Sequence, residues 1–227
     1  NQNTFDNYVA KLITRTDVRL ITRKNYLTLI KKYAQPSFGT KRISAINKRD
    51  IKELIDNLAK EGISNSTLSH LKTSLGFLFR LAVEDEAIAT NPTHRIKIPL
   101  AKPDPTYTLE ATDFRRIQKN LPTDGARLLA KFLIGSGCRY GEATELRVKD
   151  FNFQSKEVYV RRTVSDVGKD YNNGSRFLVV SATKNNNKRT VVLSAALIAE
   201  VKAFVTAKAL AKEDLVFSKH LVEKPSK

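Results

Sequence analysis

The stretch of sequence with the clearest chemical potential is residues 134–153, IGSGCRYGEATELRVKDFNF. Gly135 and Gly137 permit tight or left-handed backbone angles, and they separate an apolar helix from a second helix that opens at Arg139. A guanidinium is planar, permanently charged and suited to bidentate contact with phosphate oxygens. Glu142 follows three residues later on the same helical face. The pattern predicts an arginine held at a fixed point to bind a phosphate.

The second stretch with chemical potential is TKNNNKR, residues 183–189, between two segments of β-branched and apolar residues. A lysine raised on a flexible turn can deliver a proton to a leaving oxygen, although its ordinary pKa of ~10.4 keeps it charged unless neighbouring cations lower it. Lys184 and Lys188 are both candidates. The alternative is a basic turn that only contacts phosphate.

The remaining reactive residues are isolated in the sequence. Cys138 is the single cysteine, which excludes an internal disulfide, and with no neighbouring His or Asn it is interpreted as a small buried filler rather than a nucleophile. His70 and His94 stand alone and are not predicted to bind metal. The sequence contains no Walker-type loop and no carboxylate cluster suited to Mg²⁺. We therefore expect neither a metal nor a cofactor.

The composition points to a polyanionic partner. Forty Lys and Arg against 23 Asp and Glu give 40 − 23 = +17. Residues 1–103 contribute 18 − 9 = +9 and residues 104–227 contribute 22 − 14 = +8, so both halves are basic. This distribution suits a protein that grips duplex DNA with two surfaces, whereas general solubility is the alternative explanation. No apolar run approaches the ~20 residues that a transmembrane helix needs.

The first part of the chain has the periodicity of four amphipathic helices. Candidate N-caps are Thr4, Thr22 and Asn47, with Ser64 or Ser66 before the fourth helix. Four helices in residues 1–92 predict a small helical domain. Residues 93–107 are rich in proline and lack periodicity, which predicts a linker, and its basic residues suit a strap across DNA phosphates.

The second part, residues 108–227, mixes helical and strand patterns. Strands are predicted at residues 157–163, 177–182 and 190–193, with TKNNNKR forming the hairpin turn between the last two. The polar segment 164–175 is predicted to be a long loop. A final helix begins after Ser194.

Two motifs resemble the tyrosine recombinases, the phage integrase family. The first catalytic box of that family is Gly-x-Arg-x-x-Glu followed by Leu and Asp, and it matches Gly137, Arg139, Glu142, Leu146 and Asp150. Taken alone, this match leaves open an ordinary helix-turn-helix with one surface arginine. An independent match to the end of the family's core-binding domain lies upstream, at Leu81, Ala82, Glu84, Ile88, Asn91 and Pro92.

The resemblance implies a fold that is mainly α with a small antiparallel β-sheet (α+β). A helical, SAM-like core-binding domain would occupy residues 1–92, and a catalytic domain, truncated at its C-terminus, would occupy residues 108–227. In the family the second and fourth helices lie along DNA, which implies DNA contacts from Thr22, Arg23, Lys24, Thr67, Lys72 and Thr73. Further predicted DNA contacts are Arg95 and Lys97 in the linker and Lys188 and Arg189 in the hairpin.

The resemblance also implies a reaction. A tyrosine attacks the scissile phosphodiester, a 3′-phosphotyrosyl link forms, and a free 5′-hydroxyl later reverses it without ATP. Arg139 would stabilise charge on the non-bridging oxygens, and Lys184, the position of the family's catalytic hairpin lysine, would protonate the leaving oxygen. Glu142 and Asp150 would play supporting parts, with Glu142 orienting the helix of the arginine.

The sequence also departs from the family pattern. The family needs a His-x-x-Arg box, a later His or Trp and a nucleophilic tyrosine, whereas His220 opens HLVE and none of the seven tyrosines is suitably placed. We therefore expect a catalytically incomplete piece of a longer recombinase. The alternative is an architectural DNA-binding protein that never cuts. The expected partners are duplex DNA, further copies of the chain in a tetramer, and accessory DNA-bending proteins, in the cytoplasm of a bacterial host, with the gene in the host or a phage.

Overall fold

The computed structural model describes residues 3–98, 108–169, 174–180 and 188–217. The chain divides into two compact units, Asn1–Pro105 and Thr106–Lys227. The described parts are mainly helical with two small antiparallel sheets, which confirms the predicted α+β fold class. The assignment of the two units as a DNA-binding domain and a catalytic domain stays a prediction.

The first unit is helical. Side chains of Thr4, Asn47 and Ser64 accept hydrogen bonds from the first turns of their helices, as the sequence predicts. The helices are α1 (Phe5–Thr14), α2 (Leu20–Leu29), α3 (Gln35–Phe38), α4 (Lys48–Lys60) and α5 (Asn65–Glu84).

Thr22 does not cap α2, so that prediction is wrong. The N-cap position is three residues earlier, at Arg19, which makes no side-chain cap. The guanidinium of Arg23 donates to the carbonyl of Arg15, which ties the first turn of α2 to the preceding loop. Beyond α2 the helix passes through a π-helical turn, Ile30–Ala34, before α3.

The core of the first unit forms around α5 and α1. The rings of Phe5 and Phe79 meet edge to face with centroids 6.2 Å apart, and both side chains are fully buried. Packing continues past residue 92, because Thr93 and Ile96 are buried and the Asn91 amide donates to the Gly76 carbonyl at 2.8 Å. The first residues of the predicted linker thus belong to the packed helical unit.

The second unit combines helices with two sheets. In one sheet β2 lies between β1 and β5, and in the other β3 pairs with β4. All pairs are antiparallel, with Val158 opposite Val191 and Thr163 opposite Val180. The elements are α6 (Ala111–Asn120), α7 (Asp124–Ser136), α8 (Tyr140–Ala143), β1 (Phe151–Asn152), β2 (Glu157–Val160), β3 (Thr163–Asp166), β4 (Phe177–Val180), β5 (Arg189–Val192) and α9 (Ala195–Ala207).

The strand pairing corrects the prediction in two places. Part of the predicted loop 164–175 is strand, because Val164, Ser165 and Asp166 belong to β3 and pair with β4. Over the residues described, β4 and β5 lie in different sheets, so the predicted hairpin between them is wrong. β5 pairs instead with β2, which precedes it by about thirty residues. Most of the connecting segment, 181–187, lies outside the described residues.

The core of the second unit is built on α7. Phe132 of α7 is fully buried, and its ring centroid lies 5.9 Å from that of Phe151 and 5.0 Å from that of Phe217. Val158 and Val160 from β2 and Val201 from α9 complete the apolar cluster. The C-terminal end of α7 is therefore firmly anchored. Among the described residues, no helix is long and apolar enough to cross a membrane.

Candidate active site

The turn between α7 and α8 fixes the position of Arg139. Gly137 ends α7 in the left-handed conformation, with φ of 63°, and its N–H donates to the Leu133 carbonyl at 3.1 Å. Cys138 is buried, and Arg139 then occupies the N-cap position of α8. The sequence prediction of a glycine-marked break followed by a helix that opens at Arg139 is confirmed.

Glu142 is the centre of the site. Its side chain is 1% exposed and its carboxylate accepts hydrogen bonds from two arginines. Arg139 donates its backbone N–H to Oε2 at 3.0 Å and Nη1 to Oε1 at 3.1 Å. Glu142 thus caps α8 and also holds the guanidinium of Arg139. The Arg139 side chain nevertheless stays 65% exposed. This arrangement presents a positive charge at a defined point on the surface.

Arg189 supplies the other two hydrogen bonds. Its Nη1 donates to Oε1 of Glu142 at 3.0 Å and its Nη2 to Oε2 at 2.6 Å, a bidentate pair. The sequence suggested a DNA contact for Arg189, whereas its guanidinium lies on Glu142. Alternation along β5 carries the signal for this inward direction, because Arg189 shares a strand face with Val191, which packs on the core.

The pKa values of the site follow from these contacts. The hydrogen bonds from Arg189, reinforced by those from Arg139, hold the pKa of Glu142 at about 2, although burial acts in the opposite direction. Burial raises the pKa of the Cys138 thiol. A buried thiol that resists ionisation is a poor nucleophile, which favours the interpretation of Cys138 as a core filler.

Gly141 is a site residue that sequence reasoning missed. A Cβ added to it would lie 2.4 Å from the Val164 carbonyl oxygen and 2.9 Å from Oγ1 of Thr163. Only glycine allows the backbone of α8 to approach β3 this closely. The signal was a glycine inside a short helical segment, directly after Arg139-Tyr140.

Asp150 belongs to a neighbouring ionic cluster. Its side chain is fully buried, and one oxygen accepts from Nη2 of Arg161 at 2.9 Å while the other accepts from Arg162. It also accepts the backbone N–H of Arg147 at 3.0 Å. These contacts tie the loop after α8 to the end of β2. Asp150 therefore has a structural role, although it belongs to the same sequence motif as Arg139.

Of the two lysines that are candidates for the general acid, the structure describes one. Lys184 lies outside the described residues. Lys188 is exposed and directly precedes Arg189 at the start of β5. Among the described residues, no group of three or more His, Cys, Asp or Glu side chains is placed to hold a metal ion.

Six of the eight candidate DNA contacts of the first unit line three grooves. Thr22 and Thr67 line one groove of about 460 Å³ between α2 and α5, beside Asn25 and His70. Lys72, Thr73 and Lys97 line a second groove of about 690 Å³ along α5. Arg95 lines a third, at the end of the unit that contains Asn47.

Arg23 and Lys24, the other two candidate DNA contacts of the first unit, lie on α2. The guanidinium of Arg23 is half-buried and donates to the Arg15 carbonyl, so part of its hydrogen-bonding capacity supports the fold. Lys24 is half-buried on the same helix. The DNA contacts proposed for both residues stay predictions.

Residues 108–227 match the model of the phage integrase family, and the chain belongs to that family. A tyrosine recombinase XerC-like protein of Caldanaerobacter subterraneus subsp. tengcongensis is 31% identical over 173 residues, 71% of this chain and 44% of that protein. The ICEBs1 integrase of Bacillus subtilis is 24% identical over 74% of this chain and 45% of its own length.

Solved structures support the same fold. The Tn1549 transposon integrase in complex with a circular intermediate DNA superposes with a TM-score of 0.71 at 19% identity, covering 98% of this chain and 72% of that one. A lambda integrase tetramer bound to a Holliday junction gives 0.62 at 16% identity, covering 88% and 53%. The chain spans about half the length of the curated relatives that it matches.

Proposed function

We propose that the protein is a site-specific DNA recombinase that cuts and rejoins duplex DNA through a 3′-phosphotyrosyl intermediate. The observation that carries the proposal is the Arg139 turn. A permanently charged guanidinium is anchored by a buried carboxylate and remains largely exposed. Such a group is preorganised to stabilise negative charge on the non-bridging oxygens of a scissile phosphate. The family membership of the chain supports the same reading.

The other chemical roles in the proposal come from the sequence. Lys184 is proposed as the general acid that protonates the leaving 5′-oxygen, and Glu142 as the residue that orients Arg139. The His-x-x-Arg box and the nucleophilic tyrosine are proposed to lie outside these 227 residues, so the full-length protein is the one to assay. We further propose a tetramer on DNA, assisted by DNA-bending proteins, in the cytoplasm of a bacterial cell. The relation to a lambda integrase tetramer supports the oligomeric part.

Replacing Arg139 tests the proposal. The full-length Arg139→Ala variant should lose cleavage by about 10²–10³-fold or more, because a preorganised charge next to the transition state is removed. DNA affinity should change little, since one contact among many is lost. Cleavage is measured on a nicked suicide duplex and affinity by gel shift. Equal losses of binding and cleavage would make Arg139 a positional contact, and wild-type binding without any cleavage would favour an architectural protein.

Replacing Lys184 and Lys188 in turn tests the general acid. A proton donor matters only while the leaving group is poor. The full-length Lys184→Ala variant should therefore cut a normal phosphodiester slowly and recover on DNA with a 5′-bridging phosphorothiolate, whose sulfur leaves without protonation. Arg139→Ala should not recover on that substrate. Rescue of Lys188→Ala alone would move the role to Lys188, and rescue of neither variant would exclude both lysines as the general acid.

A further inference from the structure

The start of β5 holds an arginine that contacts the site through Glu142, with its own side chain 35% exposed. Arg189 donates both terminal nitrogens to Glu142, whose carboxylate in turn accepts two hydrogen bonds from Arg139. The two carboxylate oxygens of Glu142 thus accept four hydrogen bonds, which is the full acceptor capacity of a carboxylate. Arg189 belongs to a strand that β2 holds in register, with Arg189 opposite Val160. The guanidinium is therefore supplied by an element separate from the Arg139 turn.

We propose that Arg189 is a positioning residue that neutralises Glu142, so that the charge of Arg139 remains available to a phosphate. The inference rests on the proposed phosphoryl transfer and deepens it. It assigns Arg189 to the electrostatics of the site rather than to a direct DNA contact.

The net charge of the site depends on Arg189. Two guanidinium groups and one carboxylate leave a net charge of +1 at the site. Without Arg189 the carboxylate would face Arg139 alone, and the local charge would fall to zero. Glu142 is 1% exposed, so water cannot screen it, and its attraction for Arg139 would be strong. Arg139 would then fold onto both carboxylate oxygens, and an incoming phosphate would have to compete with them.

In the part of the chain that the structure describes, Arg139 and Arg189 are the cations that form ion pairs with Glu142. The other titratable group that interacts with Arg189 is the Cys138 thiol, and burial raises its pKa, so it adds no charge at neutral pH. Glu142 itself stays ionised, since its pKa is about 2. Lys188 directly precedes β5 and is exposed.

The test separates charge from structural support through a second substitution. Arg189→Ala should weaken phosphate binding at Arg139 and slow cleavage, each by about tenfold to a hundredfold, the range expected for a hydrogen-bonded charge. Adding Glu142→Gln should restore much of both losses, because the carboxylate that captures Arg139 is gone. Arg189→Gln, which keeps a hydrogen-bond donor but no charge, should behave like Arg189→Ala. Arg189→Lys should fall between that variant and the wild type.

Two readouts are needed. Phosphate binding is measured on the 227-residue chain with ¹⁵N-labelled arginine, by titrating inorganic phosphate while following the Nε–H resonance of Arg139, assigned by its loss in Arg139→Lys. Cleavage is measured on the full-length protein with a suicide duplex. Thermal unfolding of each variant accompanies both, and if Arg189→Ala does not fold, Arg189→Gln carries the comparison.

Three results would overturn the inference. A double variant no better than Arg189→Ala would mean that Arg189 only supports the fold. Full activity in Arg189→Gln would mean that its charge is irrelevant. Equal losses of DNA binding and cleavage would make Arg189 a DNA contact. If the wild-type full-length protein does not cleave DNA, the proposed function fails, whereas the phosphate titration still tests the charge relation.

Discussion

At the scale of single residues, Glu142 links the site to the stability of the second unit. The hydrogen bonds from Arg189 lead the effects that lower its pKa from 4.5 to about 2 in the folded protein. A carboxyl with a depressed folded pKa stabilises the fold above its unfolded pKa, and that stabilisation disappears as the pH falls through the folded pKa. We therefore expect a loss of up to about 3 kcal/mol in the free energy of unfolding between pH 4.5 and pH 2.

Urea unfolding between pH 2 and pH 7 measures this dependence, and substitution isolates it. Glu142→Gln should remove most of the contribution of Glu142 to the acid limb, which is the fall in the free energy of unfolding below pH 4.5. Glu213 is the matched control, because its pKa is also lowered, by hydrogen bonds from Lys149 and Arg147, yet its side chain is 64% exposed. Solvent screening should make Glu213→Gln nearly silent. An acid limb that is unchanged in Glu142→Gln would contradict the assigned pKa.

The residues of the site differ in how far the sequence could predict them. Arg139 and Glu142 are three positions apart, and a single helical turn brings them together, so their pairing was predictable. Arg189 lies 47 residues from Glu142 along the chain, and only strand pairing brings it there. Asp150 was predictable as a motif residue, whereas its arginine partners depend on the folded loop.

At the scale of elements, α8 is held against β3 by the close approach at Gly141. The Cβ of Gly141→Ala would lie 2.4 Å from the Val164 backbone oxygen, which cannot swing away as a side chain does. We expect this substitution to destabilise the second unit by about 1–3 kcal/mol, as overpacking typically does. Because α8 also carries Arg139 at its N-cap, cleavage by the full-length protein should fall as well. Thermal unfolding and a cleavage assay measure the two effects.

Gly135 provides the matched control for this prediction. A Cβ at Gly135 would lie 2.8 Å from Cδ2 of Leu197, the far end of a flexible side chain that can move. Gly135 is also inside α7, where alanine is favoured over glycine by about 1 kcal/mol. Gly135→Ala should therefore be nearly neutral. Equal destabilisation by the two substitutions would mean that the contact between α8 and β3 does not determine the cost.

Local signals predicted the helices better than the strands. The N-caps at Thr4, Asn47 and Ser64 depend on side chains within three residues of the helix start, which the sequence displays directly. Strand partners depend on contacts across the chain. A turn-like segment between β4 and β5 favours a hairpin, yet β5 finds its partner in β2 and β4 in β3. The start of α2 was predicted wrongly because the helix begins after Arg19, a residue that makes no side-chain cap for the sequence to display.

At the scale of the whole molecule, charge is the property that the sequence displays most completely. A net charge of +17 needs no folded structure to be counted, and both halves share it. Which cations point toward a common surface is a matter of folding. The structure places Lys72 and Lys97 in one groove along α5, whereas Arg95, which is close to Lys97 in sequence, lines another.

This distribution predicts salt-dependent binding of duplex DNA by the 227-residue chain. Each phosphate that is neutralised releases counterions, so log K should fall against log salt with a slope of about −0.9 per contact. Lys72→Gln should make the slope shallower by about one unit if Lys72 contacts a phosphate. Lys52→Gln is the matched control, because Lys52 is an exposed lysine of α4 that is paired with Asp56. Fluorescence anisotropy between 50 and 300 mM salt, about the range in which such losses are large, measures both slopes. A wild-type slope near zero would contradict the proposed grip on DNA, and equal changes from the two substitutions would show only a general charge effect.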